Sequence, residues 1–169
     1  RTTASLAGPW VIGGSASRVI IPDGVTFTAD QPFTANVELQ GAAVINLNHE
    51  IGPDLVKVSP QSTVNFNAYP TVQAITYGHV VLSGTVEKRF QGDTTIIMGN
   101  LTVGQNLALK GSPGNASHVR LGGALTLKGA RPLTAADNAI DVAFIGTTAQ
   151  TVTSERDLHL FRMISQSAQ

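Results

Sequence analysis

Between Val80 and Leu127 the chain is cut into short apolar triplets: Val80-Val81-Leu82, Leu101-Thr102-Val103, Leu107-Ala108-Leu109, Val119-Arg120-Leu121 and Leu125-Thr126-Leu127. Turn-forming residues fill the interruptions, among them Ser83-Gly84-Thr85, Gly92-Asp93, Gly99-Asn100 and Gly122-Gly123. Glycine supplies positive φ there, and the short polar side chains bond their own backbone. A three-residue strand cannot hold itself together. Strands this short, with corners this frequent, fit a coil whose turns stack so that each strand pairs with its counterpart one turn away.

The spacing agrees. Val19 to Val37 is 18 residues, Val37 to Val56 is 19, Val80 to Leu101 is 21 and Leu101 to Val119 is 18. Internal repeats near twenty residues mark a solenoid rung. Two intervals are longer, Val56 to Val80 at 24 and Val119 to Val142 at 23. Tyr69-Pro70-Thr71 and Arg131-Pro132 lie inside them, which predicts outward loops near 68–76 and 129–139. Pro22-Asp23-Gly24 and Gln40-Gly41 turn the first strand pairs, proline presetting one φ and glycine accepting a positive one. The only helix-like window is Leu133 to Ile140. The expectation is a single all-β domain over 1–169, a parallel β-helix or β-solenoid with rungs of about 18–24 residues. It has an irregular start over 1–9 and an incomplete last rung over 158–169. A lone rung cannot bury enough apolar surface to offset its ordering entropy, so stability should grow with rung number.

Charge excludes two classes of partner. Eleven basic and eleven acidic side chains cancel, and only 13% of residues are charged, so no long-range field favours nucleic acid or an anionic membrane. No stretch is long and apolar enough for membrane insertion as a helix, and Arg1-Thr2-Thr3-Ala4 has no apolar signal region. If the protein is exported, the 169 residues are a mature or excised form. With no cysteine there is no disulfide framework and no thiolate metal site.

Catalysis on a β-helix needs carboxylates converging on one groove. Here Asp23, Asp30, Asp54, Asp93, Asp137, Asp141 and Asp157 are scattered over different rungs, with only Asp137 and Asp141 close in sequence. His49, His79, His118 and His159 occur singly, without metal-ligand spacing, and neither a nucleophile elbow nor a phosphate loop is present. The expectation is a chain that is no enzyme and needs no cofactor or metal. Asn46, Asn48, Asn65, Asn67, Asn100 and Asn106 recur at strand ends, where amides can bond from rung to rung. Phe27, Phe66, Phe90, Phe144 and Phe161 read as a core ladder. Tyr69 and Tyr77 read as the exposed aromatic pair, and the Tyr69-Pro70-Thr71 loop is the first candidate for contact with a carbohydrate.

Several phrases resemble repeat-built β-solenoid, adhesin-like surface proteins of Bacteroidetes, of the type exported by the type IX secretion system. Val64-Asn65-Phe66 with Gln73-Ala74-Ile75, and Val142-Ala143-Phe144-Ile145-Gly146 with Gln150-Thr151-Val152, resemble their V-x-F-x-G…Q-x-I unit. Tyr77 to Gly84, Lys88 to Ile96 and Gly99 to Val103 are similar to a second phrase, and Trp10 with Val19 to Val25 to their opening. The resemblance covers most of Trp10 to Phe161. It implies an extracellular or cell-surface location and a structural role as adhesin, stalk or self-assembling fibre. A carbohydrate-binding or carbohydrate-cleaving β-helix and a phage or injection-system fibre segment are the alternatives. Trp10, Leu158, Leu160 and Phe161 are the candidate end-stacking residues. The expected partners are rungs of the same protein or neighbouring subunits end to end, with surface polysaccharide or a host or substratum surface beyond them.

Overall fold

Within each short run apolar and polar residues alternate, so one set of side chains points inward and the other outward. That pattern builds a parallel β-solenoid of about six turns, seen in a computed structural model that describes residues 2–6, 17–105, 107–111, 117–128, 140–155 and 162–165. No helix occurs among the described residues. After β1 (Thr2–Leu6), the first turns contribute two strands each: β2 (Arg18–Ile21) and β3 (Val25–Ala29), β4 (Asn36–Leu39) and β5 (Val44–Leu47), β6 (Asp54–Val58) and β7 (Thr63–Phe66). Three per turn follow: β8 (Thr71–Val72), β9 (Thr76–Tyr77) and β10 (His79–Leu82), then β11 (Lys88–Phe90), β12 (Thr94–Ile97) and β13 (Leu101–Val103), then β14 (Leu109–Lys110), β15 (Ser117–Leu121) and β16 (Leu125–Leu127). The last described strands are β17 (Ile140–Phe144), β18 (Val152–Ser154) and β19 (Arg162–Ser165).

Every pairing between these strands is parallel, each strand adding to its counterpart on the next turn. One eight-stranded sheet, β1-β3-β5-β7-β10-β13-β16-β18, runs the length of the stack. A second face is made by β2-β4-β6 and then by the five-stranded sheet β9-β12-β15-β17-β19, and a third by β8-β11-β14. In the long sheet Phe27, Ile45, Val64, Val80, Leu101 and Leu125 superpose in register, all buried. Like side chains therefore stack on like, and each rung completes the apolar surface of the one before it.

The corners follow the turn chemistry. Gly24 and Gly41 hold φ of 71° and 52°, and Asp23 accepts a hydrogen bond from the Ala42 amide (2.6 Å), tying one turn to the next. A Cβ on Gly41 would run into that carboxylate.

Three details depart from the expectation. Residues 68–76 do not simply loop outward: Thr71–Val72 form β8, Val72 is fully buried, and β8 pairs with β11. Pro70 sits just before that strand, where its missing N–H costs no ladder bond, and its carbonyl accepts from Arg89 (2.7 Å). Second, Val56 is not an inward residue. A register shift pairs Val37 with Leu55 but Glu38 with Lys57, so Leu55 is buried and Val56 is pushed out. Third, Tyr77 is buried, as shown below. The predicted loop over 129–139 and the helix-like window before Ile140 lie outside the described residues.

Candidate functional site

Tyr77 has no exposed surface. Its ring packs edge-on against Phe66 (centroids 6.0 Å) and its hydroxyl donates to the Gln73 carbonyl (3.1 Å), with burial pushing the phenol pKa up. It is a core residue, because its place in β9 turns the side chain inward opposite Ile97. Tyr69 is half-buried and stacked near Phe66 at 6.2 Å and 11°, while Gly52 lies against its ring edge, where a Cβ would meet Cδ2 at 2.9 Å. Burial and the Asp54 carboxylate raise its pKa. The structure thus brings the two tyrosines together around Phe66 as packing rather than as an open platform. Trp10, Leu158, Leu160 and Phe161 lie outside the described residues.

The asparagine ladder forms in part: Asn100 accepts from the Ala124 amide (2.9 Å) rather than joining a side-chain file, and Asn106 lies outside the described residues. Asn46 donates to Thr28 Oγ1 (3.0 Å) and Asn65 to Asn46 Oδ1 (2.6 Å), while a second file runs Asp30, Asn48, Asn67 and Ser83, each donating to the one before. These bonds cross from turn to turn along the outside of the long sheet and at its edge.

Three polar clusters were not foreseen from sequence. Glu38, only 2% exposed, accepts from Lys57 Nζ and Gln40 Nε2, each at 3.2 Å, and the Arg18 guanidinium lies against its other oxygen. Alternation places Glu38 outward, and its neighbours along the stack then cover it. A shallow cleft of about 390 Å³ beside it is lined by Leu39, Gly41, Val58 and Pro60. Glu87 takes Lys110 at 2.8 Å and Arg89 at 3.3 Å, and the Lys110 hydrogen bond leads in lowering its pKa. His118 Nδ1 stands 3.2 Å from the buried Asp141 carboxylate, on neighbouring strands at register-paired positions.

Lys88 is more unusual: it is fully buried, and its Nζ donates to the carbonyls of Asn67 (2.8 Å) and Tyr69 (3.1 Å). Desolvation pulls its pKa down to about 8. The ammonium satisfies the carbonyls of the bend that carries the chain from β7 into β8. No sequence signal marks it beyond its place at an inward position, two residues before Phe90.

Among the described residues no three His, Asp or Glu side chains come close enough to hold a metal ion. No described helix is long and apolar enough to cross a membrane. The ionic clusters tie adjacent turns together, Glu38 and Glu87 each drawing two cations and Asp141 facing His118.

Comparison with known proteins yields no match, whether to a family model, to a curated protein or to a solved structure.

Proposed function

We propose that this chain is a non-enzymatic structural module of an exported surface adhesin, stalk or self-assembling fibre, extended by stacking rung on rung. The observation that carries this reading is the unbroken eight-stranded parallel sheet, in which each turn meets the next through the same backbone ladder and the same inward column. A surface built this way grows along one axis without changing its chemistry, and head-to-tail contacts of that kind do not close. The resemblance of several phrases to those of Bacteroidetes repeat proteins is what supports a surface location and export by the type IX route. Tyr69 and Tyr77 serve as packing around Phe66, which gives the carbohydrate-binding alternative less support.

Sizing by light scattering, with negative-stain microscopy, tests the stacking. Concentration-dependent rods or short fibres at tens of micromolar are expected. A monodisperse monomer over the same range overturns end-to-end assembly by this chain.

A further inference from the structure

The outer faces of the solenoid differ sharply in charge. Arg18, Glu38, Lys57, His118 and Asp141 stand on the second face, and Arg89 and Lys110 on the third. From β3 to β18 the long sheet presents eleven outward strand residues, none formally charged at pH 7. Six are threonines: Thr26, Thr28, Thr63, Thr102, Thr126 and Thr153. The others are valine, asparagine and one histidine, with no Phe, Tyr or Trp ring among them. Thr102, Thr126 and Thr153 are direct partners on three successive strands. No register shift interrupts this sheet, in contrast to the bulge between β4 and β6.

Three physical properties narrow the occupant of this face. Its strand residues carry no charge, the exposed Asp30, Lys128 and Glu155 standing at its margin, so the occupant of the strand positions is uncharged. Over β13, β16 and β18 its threonine hydroxyls and methyls recur at the strand spacing of about 4.8 Å, so the occupant is periodic along the solenoid axis. It is also narrow: seven strands, one or two outward residues deep, offer on the order of 300 Å², well below the roughly 800 Å² per partner of a stable protein interface. A second copy or another folded protein is therefore a poor fit, and with no Phe, Tyr or Trp ring to stack on a sugar, so is a polysaccharide.

We propose that this face binds the surface of ice. The oxygen lattice of ice is uncharged, and one of its repeats lies within a few tenths of an ångström of the strand spacing. Each threonine offers a hydroxyl to a lattice position and a methyl to the gap beside it. Threonine is stiff at χ1, and Asn46 and Asn65 are tied into a hydrogen-bonded file with Thr28, so little side-chain freedom remains to be lost on binding. Charged side chains would instead hold their own hydration shell, which is costly to displace. This proposal stands whether or not the chain assembles end to end.

The test is partition of the purified chain into a slowly grown ice hemisphere, read beside inhibition of ice recrystallisation. Enrichment of several-fold over an inert globular protein is expected. Thr102→Lys and Thr126→Lys should each bring it down to the level of the inert protein, while Arg120→Ala on the second face leaves it unchanged. Thermal melting confirms that each variant is folded, and if a lysine variant does not fold, wild-type partition alone decides. Exclusion of the wild type from ice overturns the proposal. So does undiminished partition of folded lysine variants, or binding to insoluble cellulose or chitin in place of ice.

Discussion

Lys88 sets a residue-scale test, because pH can remove the charge it carries at a fully buried inward position. In the folded chain its pKa is drawn down to about 8, whereas an unfolded lysine titrates near 10.4. Below about pH 8 both states are protonated, and the cost of burying the charge is fully present. Between about 8 and 10.4 the unfolded chain binds more protons than the folded one, so this group makes stability rise with pH. The neutral amine still carries two N–H donors, so both carbonyl bonds survive deprotonation. Denaturant midpoints at pH 7.5 and 9.5 should show a gain of about 2 kcal/mol in the wild type relative to Lys88→Met. Identical pH dependence in the two proteins would mean that Lys88 is not desolvated.

At the scale of elements, the glutamines of the two Q-x-aliphatic phrases close breaks between strands. Gln73 accepts from the Leu55 amide (3.0 Å) and donates to Asp54 (3.1 Å) where β6 and β9 lie side by side without joining one sheet. Gln150 accepts from the Gly146 amide (3.0 Å) and donates to the carbonyls of Leu121 and Gly123, both at 2.8 Å. Leu121 has a second partner in the Ile145 amide, so Gln150→Ala strands chiefly Gly146 N–H and the Gly123 carbonyl. The expected cost is about 1–3 kcal/mol. Gln150→Glu should cost more, since a carboxylate would face two carbonyl oxygens, and urea denaturation gives the order directly. The short strands, the glycine corners and the Asn46–Asn65 file were legible in sequence because each rests on local alternation or turn chemistry. Val56, Glu38 and Thr71–Val72 were not. Their placement depends on which residue of the adjacent turn sits opposite, and a one-residue bulge changes that without any local mark. Tyr77 was misjudged for the same reason: next to glycine and histidine it reads as a corner residue, and only the pairing of β9 with β12 turns it inward.

For the whole molecule, a stack in which each turn contacts only its neighbours concentrates stability in the inward columns. Leu101 is 3% exposed and sits in register between Val80 and Leu125, near the middle of the long sheet. An aspartate there has no partner in the column and would leave a charge buried between two apolar neighbours. Leu101→Asp should therefore cost at least about 4 kcal/mol and remove the cooperative transition from thermal melts followed by circular dichroism. Arg120 comes from β15 on the second face of the next turn, and its side chain stands exposed. Arg120→Ala should move stability by no more than about 0.5 kcal/mol. The two sites stand on successive turns and differ in which way the side chain points. Comparable losses from the two substitutions would show that the inward and outward columns have been exchanged. A large loss confined to Leu101→Asp is what stacked apolar columns require, because the damage interrupts contacts to the turn above and the turn below at once.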